Sequence, residues 1–269
     1  MTTPFASNLT RAVLVTALAT TVLTATSPAV HAESAEDKGL AIARKVDKAN
    51  EGFASESSTM EMTLINAHGD KTTRKMKSQL LETKDDGDRS RIEFDWPADV
   101  KGTRMLTWTH KKADDDQWLF LPAIKRVKRI SSKNKSGSFM GSEFTYEDIG
   151  SQEIEKFKHK FLAEEAIEGR KAWKIERIPT ASDSGYSRQV SWIDQEYNNA
   201  IKIEYYDRKG DLLKTAKFSD YKKFGKFWRL GKLDMVNHQT RKSSILAWSG
   251  RKVGIAINPS SFESTELEN

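Results

Sequence analysis

The sequence predicts a mainly β, α+β protein: one amphipathic helix followed by a meandering antiparallel sheet of about a dozen short strands. Three observations carry this. Apolar residues recur at helical spacing near the start of the chain body, over Glu33–Gly52. After Gly52 the hydrophobic period switches to two and stays there. Turn-forming segments then recur at hairpin spacing. A sheet with one apolar and one charged face must curl around something to bury the apolar face.

The elements follow in order. Leu40, Ala43, Val46, Ala49 and Phe53 recur every three or four residues with charges between them, which predicts the helix. Met60, Met62 and Leu64 alternate with polar residues, as do Ile92, Phe94 and Trp96, Trp173 and Ile175, Val190 and Trp192, and Ile201, Ile203 and Tyr205. Trp228 with Leu230 and Leu246 with Trp248 complete the series. Turns fall at His68-Gly69-Asp70, Asp86-Gly87-Asp88, Glu168-Gly169-Arg170, Lys209-Gly210-Asp211 and Phe224-Gly225-Lys226. Ser131–Ser142 reads as a flexible loop that displays the pair Phe139 and Met140, and Glu143–Lys156 as a turn and short helix. Pro179–Ser187 reads as a polar loop. No linker divides Glu33–Asn269, so a single domain is expected there.

Residues 1–32 read as a secretory signal peptide. Arg11 precedes an apolar run, Ala12–Ala25, that is too short to span a bilayer. Pro28 breaks it and Ala32 supplies the small residue for cleavage. The expected home is a periplasm. The chain has no cysteine, which excludes disulfides, cysteine-ligated metals and cysteine nucleophiles. Lys and Arg exceed Asp and Glu by 44 to 38. In an exported protein that excess suits anionic headgroups or an acidic partner, with no nucleic acid in view. Lys and Arg punctuate nearly every strand, which argues against a membrane-spanning barrel.

Chemistry is sparse. His68, His110, His159 and His238 have no metal-ligand spacing, and no metal is expected. Asp114-Asp115-Asp116 reads as a solvated turn. Gly137-Ser138-Phe139-Met140-Gly141 approaches a nucleophile elbow but misplaces its serine. Glu164 and Glu165 are adjacent, so a strand points them to opposite faces. The sharpest feature is basic: Lys125, Arg126, Lys128, Arg129, Lys133 and Lys135 follow one another with no acid between. Such a run either protects a sheet edge or forms an anion-attracting rim beside Phe139 and Met140.

Trp118-Leu119-Phe120-Leu121-Pro122, the Arg126–Ile130 run and Phe139–Ile149 resemble the LolA-like outer-membrane lipoprotein-sorting proteins. Within that family they resemble the branch that often accompanies RND-superfamily exporters. Glu204–Gly210, Leu213-Lys214, Asn237-His238-Gln239-Thr240 and the closing Phe262 and Leu267-Glu268 match the same branch. The resemblance runs from about Ser57 to Glu268. It implies an incomplete antiparallel β-barrel of about 11–13 strands wrapped around an N-terminal helix and short lid helices, as in LolA and LolB. It implies an apolar cavity for lipid or lipoprotein acyl chains, transient membrane contact, no cofactor and no enzyme activity.

The expected roles are these. Phe139 and Met140 gate the cavity, and Trp96, Trp108, Trp118 and Phe120 line it. Lys125, Arg126, Lys128, Arg129 and Lys133 meet the headgroup or a partner, including an inner-membrane RND-type exporter. Tyr146, Asp148 and His238 belong to the matching motifs without an assigned role. Two other functions stay open: an exporter adaptor that binds no lipid, with a fully packed core, and a lipid hydrolase using His238 as base.

Overall fold

The computed structural model describes residues 1–2 and 33–268; the predicted signal peptide lies outside the described residues but for its first two. Helix α1 spans Ala35–Asn50, with Ser34 Oγ accepting from the Asp37 N–H at 3.0 Å as its N-cap. Strands follow as β1 (Ser55–Ile65), β2 (Lys71–Leu81), β3 (Arg89–Trp96), β4 (Arg104–Trp108), β5 (Asp116–Leu121) and β6 (Arg126–Ile130). The one-turn helix α2 (Tyr146–Ile149) precedes β7 (Phe157–Ile167), β8 (Arg170–Pro179), β9 (Tyr186–Asp194), β10 (Ala200–Asp207) and β11 (Leu212–Ser219). A small hairpin, β12 (Lys222–Phe224) and β13 (Phe227–Arg229), leads to β14 (Lys232–Asn237) and β15 (Ser243–Val253).

Thirteen strands form one antiparallel sheet in the order β6-β5-β4-β3-β2-β1-β15-β14-β11-β10-β9-β8-β7. The sheet is not closed, and β6 and β7 are its free edges. Its curl follows from the core. Ile130 on β6, Phe94 on β3, Met235 on β14 and Tyr186 on β9 belong to one buried cluster, so distant strands share an interior. This is the expected incomplete barrel, with the strand count at the top of the expected range.

α1 lies against the inner face at the β7–β9 side. A Cβ at Gly39 would stand 2.7 Å from the Phe161 backbone nitrogen, so glycine alone permits this approach. The approach turns Ile42, rather than Leu40, inward onto Ile175 and Ile193. Glu164 and Glu165 diverge as predicted: Glu164 meets Lys38 on α1, and Glu165 accepts from Trp192 Nε1 on the other face. Among the described residues no helix is long and apolar enough to cross a membrane.

Three predicted cavity residues lie on the outer face instead. Register places Met105 opposite Leu119, and both belong to the interior cluster. Leu106, Trp108, Trp118 and Phe120 have the opposite parity and pack under Phe262 and Leu267 of the C-terminal segment. Trp108 Nε1 donates to the Phe262 carbonyl at 2.6 Å. Both faces of β4 and β5 are therefore apolar, because a 3₁₀ segment covers the outer one. Trp96 is also not a lining residue: it ends β3 and is 50% exposed.

Candidate functional site

The inner face is unusually rich in methionine. Met60, Met62, Met76, Met105 and Met235 are all buried there, and their unbranched thioethers adapt to irregular shapes. The space they enclose is filled by the chain itself. The connection between the two sheet edges, residues 131–156, turns inward and inserts Phe139 and Phe144 into the methionine cluster. Phe139 is 1% and Phe144 2% exposed. Phe139 stands 6.0 Å from Phe94 and edge-on to Tyr146. The expected exposed loop with a gating Phe139-Met140 pair is thus an internal plug. Its tip is a tight turn in which Met140 and Gly141 both take positive φ (50° and 74°), and Ser142 N–H donates back to the Phe139 carbonyl.

One buried polar hub holds the plug. Lys214 on β11 and Asp148 on α2 pair at 2.6 Å with side chains 2% and 6% exposed. The same carboxylate accepts from Tyr186 Oη at 2.8 Å and from the Thr145 N–H at 2.7 Å. Lys214 also donates to the Glu143 carbonyl, and its ammonium lies over the Tyr186 and Tyr205 rings. Burial, then the nearby Asp148 charge, pushes the Tyr186 phenol well above its usual range and keeps it a donor. Smaller bonds finish the anchorage. Arg74 donates to the Met140 carbonyl, Asn237 to Glu143, and Gln117 to the Tyr146 carbonyl. Tyr146 and Asp148, unassigned in the sequence, are therefore plug residues. Tyr186 and Arg74 were not singled out, and Lys214 stood only in a matching motif with no role, because each looks like an ordinary strand residue until its partner is in place.

The basic residues form an edge. Arg126, Lys128 and Arg129 project from β6, the free strand, with Lys125 before it and Lys133 after it, all exposed. Arg129 is tied to Asp116; the other four have no carboxylate partner among the described residues. They stand beside the plug's connection but not beside its buried tip, which separates the two features that the sequence reading had joined. The acidic run is not a free turn. Asp115 pairs with Lys156, and Asp116 bridges Arg129 and His110, whose Nε2 lies 3.2 Å away. His238 is exposed in the β14–β15 turn with Nε2 2.8 Å from Thr215 Oγ1, a bond that ties the turn to β11.

A family model described as an uncharacterized protein matches residues 86–269. No curated protein matches the chain. A crystal structure described as an outer membrane lipoprotein-sorting protein domain, from Vibrio parahaemolyticus, is 46% identical over 87% of this chain and 100% of that one, with a TM-score of 0.85. The chain belongs to this LolA-like family. A DUF1329 family protein from Desulfovibrio piger is 28% identical over 87% of this chain and 99% of that one, at a TM-score of 0.83. A LolA superfamily protein from Nitrosomonas europaea is 18% identical over 84% and 98%, at a TM-score of 0.67, and shares the fold.

This LolA-like chain also carries a charged cleft, away from the plug's tip. A cleft of about 820 Å³ lies between the C-terminal end of α1, the β2–β3 turn and the β12–β13 hairpin. Glu56 forms its floor, held by Arg229 at 2.9 Å and by Arg251 at 2.5 Å. Asp47, Asp88 and Glu153 converge on its wall. Burial, with Glu82 and Asp47 alongside, pushes Asp88 from 3.8 up to about 6. Burial and the charges of Asp88 and Asp47 push Glu153 from 4.5 up to about 7. Both carboxyls hold protons more tightly in the folded chain than in the unfolded one. Their stabilisation is therefore complete below about pH 4 and is lost as pH rises through about 6 to 7. The double variant Asp88→Asn/Glu153→Gln escapes that loss. Its melting temperature should gain on the parent's steadily from about pH 4 to about pH 8, as read by thermal melts across that range.

Proposed function

We propose that this chain is a periplasmic carrier: it takes a lipid or lipoprotein acyl chain into the methionine-lined interior of its curled sheet and passes it toward the outer membrane, beside an RND-type exporter. Residues 1–32 serve as the export signal, removed after about Ala32. Family membership supports the general role. The observation that carries the cargo reading is the plug. Phe139 and Phe144 fill the interior from a connecting segment, not from a strand, so the interior can change occupant while the sheet stays intact.

The energies allow the exchange. Burying about 14 methylenes is worth on the order of 11 kcal/mol gross. Unseating two buried phenylalanines costs about 3–5 kcal/mol each. The two are close enough that a donor or exporter could tip the balance either way. A second reading rests on the same filled interior: a docking module of an exporter that binds no lipid, with the basic β6 edge as its protein contact.

Native mass spectrometry of the protein purified gently from a periplasm separates the readings. The carrier reading expects a chain beginning near Glu33 and carrying a stoichiometric lipid or lipoprotein, or taking up a fluorescent fatty acid when delipidated. A protein that is empty and also refuses the fatty acid leaves the docking module.

A further inference from the structure

Large apolar side chains exposed singly are ordinary on a protein surface; their distribution here is not. Beyond the terminal Met1, six are more than a third exposed: Trp96, Ile124, Leu162, Ile178, Leu212 and Val236. Leu162 lies in the middle of the edge strand β7. Four of the other five share one end of the sheet; Ile178 lies where β7 and β8 meet the β4–β5 turn, next to Pro179, which lines a pocket with Asp114 and Asp115. Trp96 is the last residue of β3, Ile124 lies in the β5–β6 turn, Leu212 opens β11, and Val236 is next to last in β14.

The registers confirm that these termini are the same end. Lys75 pairs with Trp96, Leu121 with Arg126, Tyr206 with Leu212, and Val236 with Ser243. At the other end lies the charged cleft, and among the described residues Ile178 is the large hydrophobic comparably exposed on that side.

The same rim is basic. Its turns and strand ends carry Lys101, Lys125, Arg126, Lys209, Arg241 and Lys242, none in a salt bridge among the described residues. Against them stand Asp70, Asp99, Asp207 and Asp211. Trp96 is the residue type favoured at a membrane interface, and cations beside it favour an anionic surface.

We infer that this rim is a membrane-docking surface that seats on an anionic lipid bilayer, with Trp96 and Ile124 as its best exposed anchors. Four anchors from four separate strand ends or turns suit a flat, fluid surface. A protein partner would need one contiguous, closely packed apolar patch. Seating would also bring the plug's tip to the lipid. Arg74, near the start of β2, holds the Met140 carbonyl, and Glu143 N–H bonds to Ser244 at the start of β15, both at this end. That orientation rests on the carrier reading; the seating itself does not.

Co-sedimentation of the purified protein with vesicles tests it, using phosphatidylcholine alone and phosphatidylcholine with phosphatidylglycerol. Binding is expected on the anionic vesicles at low salt, weakening as salt screens the charges. Ile124→Ser/Leu212→Ser should weaken it about tenfold, and Trp96→Ser comparably. Leu162→Ser, an equally exposed change away from the rim, should leave it unchanged. Thermal melts confirm that each variant is folded. Failure of the parent to bind anionic vesicles, or an equal loss in the Leu162 variant, overturns the inference. So would dimers, seen by sedimentation without lipid, that Ile124→Ser/Leu212→Ser dissociates, since the rim would then join copies of this chain. Fatty-acid uptake in vesicle-free solution is read separately, so failure here and failure of the carrier reading can be told apart.

Discussion

Asp148→Ala should lower the melting temperature by about 6–20 °C. The reason is the orphan it leaves. Lys214 is buried at 2% side-chain exposure, and without Asp148 its ammonium keeps only the Glu143 carbonyl and two tyrosine faces. Breaking a buried ion pair from one side costs about 3–5 kcal/mol. In a chain of this size each kcal/mol moves the midpoint by about 2–4 °C. The Thr145 N–H loses its acceptor at the same time, and Tyr186 Oη keeps only Thr145 Oγ1. Asp148→Asn/Lys214→Met should recover most of the loss, because the cost belongs to the uncompensated charge and not to the absence of the pair. Differential scanning calorimetry of the single and double variants gives the answer. A single variant that melts with the parent would mean that Lys214 reaches water and that the plug is held by its rings alone. Limited proteolysis adds a local readout: cleavage after Lys133 and Lys135 should speed up in Asp148→Ala before the sheet itself is attacked.

Phe139→Ala should destabilise the fold by about 3–5 kcal/mol, the usual cost of removing a buried phenylalanine ring. It should also increase uptake of an apolar probe. The ring packs on Phe94 and Tyr146, inside a cluster lined by methionine and aliphatic side chains. Its loss leaves a space with no polar partner for water, and such spaces stay dry and accept small apolar guests. Equilibrium unfolding measures the first effect; fluorescent fatty-acid titration of the still-folded variant measures the second. The two signs separate the rival readings. A carrier whose plug competes with cargo binds the probe more tightly when the plug is trimmed. A docking module loses stability and gains at most a benzene-sized site. Phe139→Leu, which keeps most of the volume, should sit between the parent and Phe139→Ala in both measurements.

Much of this architecture is legible along the chain. The switch of hydrophobic period from helical to alternating at Gly52 marks the passage from α1 to β1, and the Gly-centred turns mark the hairpins. Alternation tells which residues share a face but not which face is inside. That is why Trp108, Trp118 and Phe120 were expected in the cavity: β4 and β5 are apolar on both sides, and only the C-terminal segment carrying Phe262 and Leu267 decides what covers the outer one. Trp96 misleads for a different reason. Its alternation with Phe94 is intact, but the strand ends there and the interior ends with it.

By itself, the sequence determined the helix, the alternating strands with their hairpin turns, the basic run and the family, since each depends on neighbours within a few residues or on a contiguous motif; the pairing of β1 with β15, which sets the strand order, does not. The tertiary structure decided the site. Phe139 and Met140 sit among serines, lysines and glycines that look exposed, and Lys214 looks like a solvent-facing strand lysine. Their burial comes from contacts with strands and a carboxylate far along the chain, Asp148 and Lys214 being 66 residues apart. Local composition carries no record of such a partner. The low dielectric that makes the pair matter exists only once the sheet has curled around it.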